Sequence, residues 1–264
     1  MNSAATFLVL LVISMGPGLF AQTAADYLKA GDEIYARFDD AGALAEYEKA
    51  AGLDPSRFEA LWKTARGYMN LGDRIDYGQK DHEEKQQKHY RAGEPFLRKA
   101  LSVNPQDSFV HFLNAALLGR LARVKSRKQQ VALAYTIKAE IDKALELDSG
   151  NDMAWHALAY WHRTLAELGG AARFFGSILY GGLPKGSFEE AVKGFRTAVS
   201  LNPAYCNHHI ELARTYAVMK KTEPAIGELR TALECPDLTS LCAHYKERAG
   251  RMLTRLENRQ GRDN

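Results

Sequence analysis

Five stretches decide the fold: 46–55 (EYEKAAGLDP), 96–105 (FLRKALSVNP), 140–149 (EIDKALELDS), 194–203 (GFRTAVSLNP) and 228–237 (ELRTALECPD). In each, an alanine (Ala50, Ala100, Ala144, Ala198, Ala232) stands five residues before Pro55, Pro105, Ser149, Pro203 or Asp237. Three residues before it comes Tyr47, Leu97, Ile141, Phe195 or Leu229, and three after it Leu53, Val103, Leu147, Leu201 or Cys235. Spacing of three on either side of a small residue predicts a helix with a single apolar stripe, closed by a turn.

Working outward, the alanines are 50, 44, 54 and 34 residues apart. Only the last interval equals a 34-residue helix-turn-helix unit, so the chain resembles the tetratricopeptide repeat with extra residues inserted in the earlier units. The expected register places Gly31, Ala65, Ala115, Ala159 and Ala213 at one close contact and Ala43, Gly93, Ile137, Ala191 and Ala225 at another; nine of these ten are Gly or Ala. Small side chains recur there because stacked helix pairs approach most closely at those depths. Ser187 with Glu190 predicts a capping box, and Pro224 suits a first helical turn. Pro95 falls inside the nominal second helix of repeat two, which predicts a separate inserted helix before Gly93 and Glu94. The expected fold is all-α: a tetratricopeptide-like α-solenoid of about five helix pairs, with inserted segments inside repeats two, three and four and a C-terminal capping helix. The expected division is a signal peptide over 1–21, the solenoid over 22–237, the capping helix over 238–258 and a flexible tail over 259–264.

The insertions carry a narrower likeness. The strings ALWKTARGYMNLGD, AYTIKAEIDKALELDSGNDMAWHALAYWH, FFGSILYGGLPKGSFEEAVKGF and LNPAYCNHHIELARTYAVMKK, within about Phe58 to Leu256, resemble the regulator of microtubule dynamics family, tetratricopeptide proteins with this uneven spacing. The resemblance implies a non-enzymatic helical protein that binds other proteins, associated in eukaryotic members with microtubules or organelle membranes. It implies no catalytic residue and no cofactor.

Composition agrees with a folded soluble chain of one or two domains. Its 264 residues are 46% hydrophobic and 25% charged with 8 Pro, and 35 basic against 32 acidic residues leave +3, too little to draw in nucleic acid. The run Phe7 to Met15 (FLVLLVISM), broken by Gly16-Pro17-Gly18 and followed by Ala21, predicts an exported protein, periplasmic or secreted; a membrane span would need about 20 apolar residues. That setting points to a bacterial envelope member of the family. No nucleophile motif or phosphate-cradling glycine loop is present. His156 with His162, six apart, and the adjacent His208 and His209 diverge on a helix, so no metal site is expected. Cys206 and Cys235 are placed either to form one disulfide or to pack as small apolar residues.

In such a superhelix the first helix of each repeat lines the concave face. The expected partner groove is Trp62 and Arg66, Phe109 and Phe112, His156, Tyr160 and Arg163, then Asn207, Ile210 and Arg214. Aromatic anchors with arginines that clamp carboxylates suit a protein or peptide of some acidic character; the alternative is that inserted segments fill the groove. A second surface is Phe174, Phe175, Ile178, Leu179 and Tyr180 in the apolar segment 168–184. With the basic cluster Arg120, Arg123, Lys125, Arg127 and Lys128, it makes a membrane-associated or lipid-binding scaffold the alternative to an adaptor. A cytoskeleton-associated role, as in eukaryotic members, is a further alternative.

Overall fold

A computed structural model of the protein describes residues 22–76, 78–168 and 182–263. The expected signal peptide and most of the apolar segment 168–184, including Phe174, Phe175, Ile178, Leu179 and Tyr180, lie outside the described residues. The described secondary structure is helical throughout: α1 (Ala24–Tyr35), α2 (Asp40–Leu53), α3 (Phe58–Asp73), α4 (His82–Val103), α5 (Ser108–Ala122), α6 (Arg127–Leu147), α7 (Asp152–Ala166), α8 (Phe188–Leu201), α9 (Cys206–Val218), α10 (Thr222–Glu234) and α11 (Cys242–Asp263). Each odd-numbered helix up to α9 packs on the helix after it, and the resulting pairs stack in chain order into an α-solenoid.

The small-residue register is what permits that stacking. Ala50, Ala100, Ala144, Ala198 and Ala232 are all fully buried, as are Leu97, Ile141, Phe195 and Leu229, with Tyr47 close behind. A Cβ added at Gly93 would stand 3.1 Å from the Ala65 carbonyl oxygen and 3.2 Å from the Tyr68 Cβ, so α3 and α4 touch nearly backbone to backbone. The third position of the stripe differs from expectation: Leu53, Val103 and Leu201 are exposed at the edge of the stack, because the helices end there before the next pair covers them.

Two insertions lengthen helices instead of adding separate ones. The second helix of repeat one spans 14 residues, whereas α4 spans 22 and α6 spans 21. No inserted helix precedes Gly93; Pro95 sits inside α4, where packing against α3 and α5 offsets the loss of one backbone donor. Repeats one and five, without insertions, share a turn in which Phe38 (φ 64°) and Lys220 (φ 59°), each five residues before a buried alanine, adopt the left-handed region. Ser187 does cap α8, accepting from the amides of Glu189 and Glu190, but the carboxylate it returns to is that of Glu189. The last helix begins at Cys242 and runs to Asp263, so residues expected as a tail continue it.

Candidate functional site

The first helices α1, α3, α5, α7 and α9 contact one another in sequence and form the inner face. Its N-terminal half is aromatic. Trp62 meets Phe109 edge-on with centroids 5.4 Å apart, and Phe109 packs on Phe112 at 5.6 Å. Trp62 and Phe109 remain half-buried while Phe112 is buried. The Arg66 guanidinium lies 3.9 Å from the Tyr35 ring centroid and 5.0 Å from that of Trp62. Its Nε is buried without a hydrogen-bond acceptor, and no carboxylate among the described residues pairs with it.

The C-terminal half is a buried polar seam. Asp152, His156 and Arg163, at i, i+4 and i+11, share one side of α7; His208, Glu211 and Thr215, at i, i+3 and i+7, share one side of α9. The two stripes meet in parallel register. Asp152 Oδ2 accepts from His208 Nε2 at 2.9 Å and from Asn202 at 3.0 Å. His156 Nδ1 and His208 Nδ1 lie 2.9 Å apart. His208 Nε2 donates to the Asp152 carboxylate, and across the His pair one Nδ1 donates to the other. Further along, Arg163 bonds the Glu211 carboxylate, its backbone carbonyl (2.9 Å) and Thr215 Oγ1 (3.3 Å), while Arg214 reaches Glu211 Oε1 at 2.9 Å.

The electrostatics follow from this crowding. Burial acts against a charge on Glu211, but Arg163 and Arg214 outweigh it and hold the carboxyl at about 2. Burial, reinforced by the neighbouring His208, pushes His156 down to about 3. Burial also opposes the Asp152 charge, and the hydrogen bonds from His208 and Asn202 overcome it, so this carboxyl stays below its usual range.

Arg163 and His156, expected to face a partner, therefore face the chain's own groups. Arg163 is only 4% exposed, and Ile210 is likewise buried. Tyr160, 49% exposed, is the most open of the expected groove residues, with the Arg163 guanidinium 4.9 Å from its ring centroid. Asn207 and Arg214 are half-buried.

The C-terminal segment also reaches back to the first repeats. Ser240 donates to Asp40, at the start of α2, and the same carboxylate receives Asn70 at 2.9 Å and Arg74 at 3.3 Å. Tyr245, on the first turn of α11, lies within electrostatic reach of Asp73, Arg120, Tyr205 and Glu211. The chain's own end thus reaches from repeat five back to the start of α2.

Comparison with known proteins places this architecture. The family described as regulator of microtubule dynamics protein 1-3 matches residues 23–257. The chain belongs to the regulator of microtubule dynamics family. It is 26% identical over 231 residues to regulator of microtubule dynamics protein 1 of Mus musculus, covering 85% of this chain and 74% of that protein. To regulator of microtubule dynamics protein 2 of Homo sapiens it is 22% identical over 201 residues, covering 75% of this chain and 48% of that one. Among solved structures, a thermophilic tetratricopeptide protein of Thermus thermophilus is similar at a TM-score of 0.60 and 15% identity, covering 86% of this chain and 98% of that one. That likeness shows the tetratricopeptide fold.

Against the family's helical scaffold, the basic cluster divides. Arg120 Nε donates to Asp73 Oδ1 at 2.8 Å and its Nη1 to the Ala116 carbonyl at 2.9 Å, and Arg123 reaches Gln86 at 3.4 Å. Lys125, Arg127 and Lys128 are exposed. No described helix is long and apolar enough to cross a membrane, and no group of three or more His, Cys, Asp or Glu among the described residues could hold a metal. Sequence reasoning passed over Glu211 and Asp152; the i, i+3 and i, i+7 spacing of His208, Glu211 and Thr215 was the available signal for a polar stripe. The three cysteines are reduced and buried, with Cys235 bonded to the carbonyls of Pro203 (3.6 Å) and Thr231 (3.4 Å) and not to Cys206.

Proposed function

We propose that this chain is a non-enzymatic, exported scaffold that holds an acidic segment of a protein partner against the accessible part of its inner face. The observation that carries this reading is Arg66. Its guanidinium is fixed between two aromatic rings and lacks a carboxylate among the described residues, whereas Arg120, Arg163 and Arg214 each have one. A cation held in a fixed orientation with open donor positions suits a partner carboxylate, which planar guanidinium binds in bidentate fashion. Trp62 and Phe109 supply the half-buried aromatic surface beside it that anchors a side chain. Tyr160, Asn207 and Arg214 extend the accessible strip. A non-catalytic role is supported by the polar seam, where Asp152 is committed to His208 and Glu211 to Arg163 and Arg214.

Export rests on the apolar run Phe7 to Met15 followed by small residues, and N-terminal sequencing of the protein from its host tests it: a start near Gln22 supports cleavage, an intact Met1 rejects it. The relatives' names tie them to microtubule dynamics; an exported chain uses the same scaffold on a different partner. The test of the binding role is capture from the native host with wild type and Arg66→Glu. Loss of the wild-type partner in the variant supports the reading, and an unchanged set of captured proteins rejects it.

A further inference from the structure

We propose that Cys206 and Cys242 form a disulfide by thiol–disulfide exchange with a small aliphatic disulfide, fastening α11 to α9. Cys206 is the first residue of α9 and Cys242 the first of α11, and both are fully buried in one apolar cluster with Tyr205, Ile210, Leu229 and Ala249. The two helices pack on each other, and each thiol shifts the titration of the other. Cys235, the third thiol of the cluster, is turned to the carbonyl oxygens of Pro203 and Thr231, which leaves Cys206 and Cys242 as the pair not engaged by backbone carbonyls.

The surroundings suit Cys242 as the attacking sulfur. It opens a helix, where backbone amides favour negative charge, and Thr239 Oγ1 lies 3.4 Å from its sulfur. The Cys206 thiol and Thr239 stabilise the thiolate, and Cys242 is shifted down while its partner is shifted up. The Lys246 ammonium, bonded to Asp237 at 2.7 Å, adds positive charge nearby. The lead-in 236–241 is irregular, and the exchange requires the first turn of α11 to open from the cluster, since both thiols are fully buried.

The exchange proceeds in two balanced steps. Cys242 thiolate attacks one sulfur of the external disulfide; that S–S bond breaks, a mixed disulfide forms, and the leaving thiolate takes a proton. The Cys206 thiol then gives up its proton and its sulfur attacks the Cys242 sulfur. The Cys206–Cys242 bond forms, the second external thiol departs, and the external disulfide has been reduced to two thiols. The product ties α11, and with it Tyr245 and Ser240, to the inner face.

The test incubates the reduced protein in a series of oxidised and reduced glutathione mixtures, blocks free thiols with an alkylating reagent, and maps peptides without reduction. Cleavage after Arg214 and Arg230 separates Cys206 from Cys235, and cleavage before Asp237 separates Cys235 from Cys242. The expected product is a Cys206 peptide linked to a Cys242 peptide with two hydrogens lost, Cys235 alkylated, and a raised melting temperature. Cys206→Ser and Cys242→Ser abolish that rise, whereas Cys235→Ser keeps it. Three alkylatable thiols across the series, a bridge through Cys235, or a glutathione adduct that never resolves overturns the proposal.

Discussion

Removing the Glu211 carboxylate tests the polar seam most severely. Glu211→Ala leaves Arg163, 4% exposed and reaching into the α7–α9 interface, with only the looser, half-exposed Glu167 carboxylate at 3.8 Å, and it also frees Arg214. Breaking one side of a buried ion pair costs about 3–5 kcal/mol. The carboxyl's fall from the ordinary Glu range to about 2 reflects the same favourable surroundings and corresponds to roughly 3 kcal/mol. For a chain of this size each kcal/mol moves the melting temperature by about 2–4 °C, so a drop of roughly 6–20 °C is expected by circular dichroism at 222 nm. The paired change Arg163→Met with Glu211→Leu removes both charges and fills the space; it should recover most of the loss, because an apolar replacement of a buried pair is often neutral. The pH dependence has a definite sign. With its folded value depressed, Glu211 contributes stability above about pH 4.3, lost as pH falls toward 2. A Glu211→Ala protein melting within about 2 °C of wild type would refute the seam as a stabilising element.

His156, held neutral with a folded value of about 3, gives stability that declines as pH falls from about 6.5 toward 3, since the unfolded chain binds the proton first; His156→Phe should flatten that part of a pH–melting curve, and an unaltered slope would reject the assignment. His209 has the opposite sign. The Glu228 carboxylate at 2.7 Å raises it, so its contribution is full below about pH 6.5 and disappears as pH rises through the raised value; Glu228→Gln should remove that dependence in the same titration. Ala159→Trp or Ala213→Trp, each at a fully buried position, should destabilise by at least about 1–3 kcal/mol through overpacking. Urea unfolding measures it, and an unchanged midpoint would break the small-residue register.

The stacking register was legible because it is local: helices that meet backbone to backbone need Ala or Gly at fixed depths, and that requirement is written at Ala65, Gly93, Ala159 and Ala213 without reference to distant residues. Pro95 misled because a proline rule tuned to isolated helices does not weigh the packing that α3 and α5 provide along α4. The groove was legible in part. Periodicity placed Trp62, Arg66 and Phe109 on the inner face, but it gave no means of knowing that Arg163 meets Glu211 48 residues away. That pairing depends on the offset between neighbouring repeats, as does the choice of Cys242 over Cys235 beside Cys206. The return of Ser240 to Asp40 spans 200 residues and follows from the curvature of the whole stack, which no window of sequence contains.

If partners are held on the inner face near Arg66, crosslinking from that face finds them. A photo-crosslinking residue in place of Phe109, half-buried beside Trp62 on α5, reports on that face; the same residue in place of Tyr135, 53% exposed on α6, reports on the outside of the stack. After irradiation in the native host, the account predicts a discrete protein adduct from position 109 that is lost with Arg66→Glu, and none from position 135. An adduct formed from position 135 and absent from position 109 would contradict it.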